Sequence, residues 1–73
     1  MKLYALQRRL QQAESLAQRL AENVAFQRQM IVTLDQDGHD VKAAKMFLRR
    51  LKASHAKHVA ERDRLFKELA NRS

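Results

Sequence analysis

Two imidazoles three residues apart, His55 and His58, with Glu61 after the same interval, are the side chains of this sequence nearest to a chemical constellation. Positions i and i+3 adjoin on a helix, so the pair offers two nitrogen ligands to a metal, whereas a stable zinc site requires three or four. The third histidine, His39, precedes His55 by about 24 Å of helix and cannot complete a site with it in the same chain. The Glu-x-x-His pattern of di-iron bundles does not occur in the sequence. We therefore expect no metal and no cofactor: His55 packs in an apolar seam, His58 sits at its edge, and His39 belongs to a turn. Neither a paired nucleophile and base nor a glycine-rich phosphate loop is visible. The expectation is a protein that is not an enzyme and has no small-molecule substrate.

The basic residues carry the stronger signal. Fifteen Lys and Arg against eight Asp and Glu give a net charge of +7, which favours an acidic partner such as nucleic acid or an acidic protein face. Lys42, Lys45, Arg49 and Lys52 follow helical spacing and form one flank; Arg50, Lys57 and Arg64, at seven-residue steps, form another. Arg8, Arg9, Arg19 and Arg28 add charge from the first half of the chain. Two cationic flanks suit phosphate contacts, which need charge and spacing without a base-reading motif. They suit a solvated helix surface equally well, because Lys and Arg are good helix formers. The four aromatic residues are not interleaved with the cations, so stacking on single-stranded bases has no support. The carboxylates are spaced for pairs along one helix: Asp63 with Lys67, Lys57 with Glu61, Arg64 with Glu68.

Behind these residues stands a regular frame. Leu3, Leu6, Leu10, Ala13, Ala17, Leu20, Val24, Gln27, Ile31 and Leu34 alternate steps of three and four without a break, which is the seam of a helix packed along its whole length. Val41, Ala44, Leu48, Leu51, His55, Val59, Arg62, Leu65 and Leu69 continue it after the only glycine, Gly38. Gly38 can take the left-handed conformation that closes a helix, and Asp40 can cap the next one. The stretch DQDGHD is thus a stop, a short link and a start, and a link that short makes the helices antiparallel neighbours. The fold class expected is all-α: one hairpin domain with helices over about 3–36 and 41–70. Leu10, Leu20, Val24, Ile31, Leu48, Leu51 and Leu65 are its association seam. Leu16, Phe26, Met30, Phe47 and Phe66 widen the apolar stripe beyond what two helices use, so a homodimeric four-helix bundle is expected. About the turn, Ala13 and Ala17 fall opposite Arg62 and His58, leaving space for the Arg62 stem, whose guanidinium reaches solvent or Glu14.

The segment LDQDGHDVKAA, the leucines of the second helix and HVAERDRL resemble a group of short bacterial helical-hairpin proteins with a Leu-x-x-Asp-Gly-His-Asp turn. The likeness spans roughly residues 28–69; it implies a hairpin and brings no activity. In architecture alone the chain is similar to Rop, the plasmid RNA-binding hairpin that dimerises into four helices. Without cysteine there are no disulfides, and no apolar run is long enough for a membrane span. A cationic amphipathic helix also suits an anionic membrane surface, but the regular seam uses the apolar face for protein packing, so a membrane partner is not expected. A cytoplasmic setting is the default. The reading is a small binding or regulatory subunit that self-associates or docks on a larger protein through its apolar seam. The alternatives are a Rop-like nucleic-acid regulator and, third, a phage or mobile-element accessory or inhibitor protein.

Overall fold

The computed structural model describes residues 2–72. Among them the chain forms two helices, α1 (Leu3–Gln36) and α2 (Lys42–Ala70), and no strand. The helices lie side by side as a rod of 55 × 14 × 14 Å. Its radius of gyration, 16.5 Å, compares with about 11 Å for a compact domain of this length. Each helix therefore has one neighbour and most of its circumference faces outward.

The seam lies between the two helices. From Leu6 to Leu34 every seam position of α1 is buried or half-buried, as is every one after Gly38. Burial is deepest away from the turn, where Leu6, Leu10, Ala13 and Leu65 form one cluster with Leu69 against it. Ala17 and Val24 extend it, and Leu20, Ile31, Leu48 and Leu51 are half-buried. Leu3 departs from the pattern at 51% exposed and borders an open cleft with Phe66, Leu69 and Ala70 of the last turn of α2. Gln27, the one polar member of the α1 seam, donates its Nε2 to the Ala44 carbonyl at 3.2 Å and so ties α1 to the first turn of α2.

The turn is built from backbone hydrogen bonds. Gly38 has φ +80°; its N–H donates to the Asp35 carbonyl at 3.1 Å and the His39 N–H to the Leu34 carbonyl at 2.9 Å. Together these form the paired helix closure that requires a left-handed residue at the position of Gly38. Asp40 acts one residue earlier than a helix N-cap does. Val41 holds the cap position, and the Asp40 Oδ1 accepts from the Lys42 N–H at 2.9 Å, satisfying a donor the helix start would otherwise leave open.

Space around Gly38 is open: a Cβ added to it would have no neighbour within 4 Å, so a side chain there meets only the backbone penalty. Gly38→Val should destabilise the hairpin by about 1–2 kcal/mol. Gly38→Asn should cost less, since asparagine tolerates this conformation. Denaturant unfolding of the two variants measures the difference, and equal stability of Gly38→Val and the parent would contradict the closure.

Candidate interaction site

Residues two apart on a helix point about 200° away from each other, so the two sides of the seam differ in chemistry. On one side, Arg28, Ile31 and Val32 of α1 and Lys45, Leu48, Arg49 and Lys52 of α2 line an open groove of about 510 Å³. Ile31 and Leu48 are half-buried between cations on both helices, and Val32, 54% exposed, stands one turn from Arg28 on the α1 wall. Among the described residues none of Arg28, Lys45, Arg49 and Lys52 has an ion-pair partner; the carboxylates that are paired belong to Glu61, Asp63 and Glu68. Lys42 is in phase with Arg49 but sits at the start of α2, beyond the lining of the groove.

On the other side lie Leu16, Phe26, Met30 and Phe47. Phe26 and Met30 are one turn apart, and Leu16 is two heptads before Met30, so the three share a face. Phe47 stands two residues from Lys45 and therefore on this side; the register about Gly38 sets it opposite Met30. Phe26 is 67% exposed and Phe47 51%. The stripe that widens the seam in the sequence is thus present and uncovered on this side. Phe66 belongs to the groove side instead, where it borders a smaller apolar cleft with Leu3, Leu69 and Gln7.

The second cationic flank is only partly available. Arg64 is held by Glu61 at 2.9 Å and by Glu68 at 3.5 Å, the second being the pair its spacing predicts. Arg50 and Lys57 are exposed. Glu61 pairs with Arg64 and, across the hairpin, with Arg9 at 2.9 Å, rather than with Lys57. Asp63 pairs with Arg62 at 3.1 Å, rather than with Lys67. Arg62 does not pair with Glu14, although both border the cleft formed by Ala17, Gln18, Ala21 and His55. The alanines accommodate the Arg62 stem, and the adjacent Asp63 takes its head.

His55 and His58 do not converge. His55 lines the cleft with Glu14 and Arg62, while His58 lines another with Arg9, Ala13, Glu61 and Leu65. Among the described residues no group of three His, Asp or Glu side chains is placed to hold a metal, and no helix is long and apolar enough to cross a membrane. Searches of protein-family models, curated proteins and solved structures find no match.

The hydrogen bond from Arg64, reinforced by the charges of Arg64 and Arg9, holds the Glu61 carboxyl below the ordinary glutamate range. The folded carboxyl therefore releases its proton more readily than the unfolded one. Its contribution is present above the unfolded value and is lost as pH falls through the folded value. Glu61→Gln should remove part of the acid-dependent loss of stability while leaving the neutral-pH fold helical. Thermal melts of both proteins across the acidic range measure this, and parallel pH profiles would contradict it.

Proposed function

We propose that the protein is a non-enzymatic binding module. It forms a homodimer through the face carrying Leu16, Phe26, Met30 and Phe47, and presents its cationic groove to a partner. The observation that supports this is the uncovered apolar face on a hairpin whose seam is already closed. Leu10, Leu20, Val24, Ile31, Leu48, Leu51 and Leu65 lie at the contact between α1 and α2, so association falls to the residues beside them. The chain exposes 5819 Å², against about 4,700 Å² for a compact monomer of its mass. The excess of roughly 1,100 Å² is of the order that one partner contributes to a standard interface, about 800 Å². A two-fold dimer through this side buries the phenylalanines against their counterparts and leaves Arg28, Lys45, Arg49 and Lys52 outward.

Mass action provides the test. A dimer that unfolds to monomers has a melting temperature that rises with protein concentration. Melts over a thousand-fold concentration range should show that rise, whereas a high, constant melting temperature would reject self-association. The Rop-like reading shares the dimer but needs phosphate on the cationic flanks. The apolar floor between those cations favours a protein ligand over a phosphate backbone.

A further inference from the structure

The groove combines two features: apolar Ile31 and Leu48 at its floor with the exposed Val32 beside them, and cations on both helices without an ion-pair partner among the described residues. We propose that it binds an acidic amphipathic helix of a partner protein, which lies between α1 and α2 as a third helix. This goes beyond the dimer and is independent of it, because the dimer uses the opposite side of the seam.

The occupant follows from the chemistry. Lys45, Arg49 and Lys52 span about 10 Å along α2, or two helical turns. Arg28 faces them from α1. A helix set between them would place apolar side chains at i and i+3 or i+4 onto Ile31, Val32 and Leu48. Glu or Asp on its two flanks would then meet the cations on each wall. Nucleic acid would engage the cations but would leave the apolar floor unmatched, and no aromatic residue lines the groove to stack a base. A second copy of this chain is already placed on the opposite side of the seam by the proposed dimer, and its carboxylates Glu61, Asp63 and Glu68 are held by arginines.

The test uses a fluorescent, capped peptide of about five helical turns, built of Leu at i, i+3 and i+4 positions with Glu on both flanks. The controls are a polyglutamate of equal charge, the same Leu pattern flanked by Lys, and a labelled duplex oligonucleotide. Fluorescence anisotropy with the full chain should show the Glu–Leu peptide binding at least ten-fold more tightly than each control at physiological salt. Replacing Lys45, Arg49 and Lys52 together by Gln should weaken that binding by roughly ten-fold and flatten its salt dependence. Val32→Ser, at a residue 54% exposed and so tolerant of change, should weaken it by a factor that salt does not alter. Both variants should retain the helicity and the association state of the parent.

Three results would overturn the proposal. The first is peptide binding that is indifferent to both variants. The second is oligonucleotide binding as tight as the peptide and insensitive to Val32→Ser, which would assign the groove to phosphate. The third is loss of self-association in the groove variants, which would place a second copy there.

Discussion

Leu65→Asp should leave the chain largely unfolded at neutral pH. Leu65 is 1% exposed and packs with Leu6, Leu10 and Ala13 in the deepest part of the seam. Truncation there to alanine should already cost about 2–4 kcal/mol, through lost burial and the cavity left behind. A carboxylate adds the penalty of a buried charge with no cation in the cluster to meet it. A chain of this length has a total stability of about 4–11 kcal/mol, and one with so small a core belongs at the low end. The same substitution at Leu51, which is half-buried, should be milder because the carboxylate can turn toward water. Far-ultraviolet circular dichroism of both variants tests the ranking. Helicity retained in Leu65→Asp, or lost more completely in Leu51→Asp, would mean that the hairpin is held together elsewhere.

Phe26→Glu combined with Phe47→Glu should have the opposite profile: a hairpin that keeps its helices and no longer associates. Both rings are more than half exposed in the single chain, so the hairpin loses little by their removal. In a dimer, burying what remains exposed of each ring contributes about 1 kcal/mol, and two-fold symmetry counts each substitution twice. Four glutamates brought into one interface add mutual repulsion. The dissociation constant should rise by about 100- to 1,000-fold. Dilution of a fluorescently labelled sample measures it, with circular dichroism as the check on folding. Unchanged association would assign the interface to another face, while joint loss of helicity and association would mean that the hairpin does not stand without its partner.

The seam is legible in the sequence because its spacing depends on one helix at a time. From Leu6 to Leu34 the alternation of three and four marks the residues that α1 turns toward α2, and Gly38 marks where the chain must reverse. Contacts that depend on both helices are harder to read. Spacing along α2 names Lys57 as the partner of Glu61, yet the structure uses Arg64 and Arg9, the latter 52 residues away. The groove is half visible. Lys45, Arg49 and Lys52 stand out as a flank, but Arg28 and Val32 join them only once the register about Gly38 is known. Arg28 lies ten residues before that glycine and Arg49 eleven after it, and this near symmetry is the available signal. The apolar residues beside the seam indicate that a two-helix contact would leave them uncovered, and in the hairpin Phe26 and Phe47 are.

Sedimentation equilibrium of the native chain tests the central claim most directly, because it reads mass without a label or a substitution. A homodimer built through the Phe26 and Phe47 face should sediment at about 17 kDa at micromolar concentration, twice the 8.5 kDa of one chain. A folded species that stays at 8.5 kDa across the accessible concentration range would contradict it.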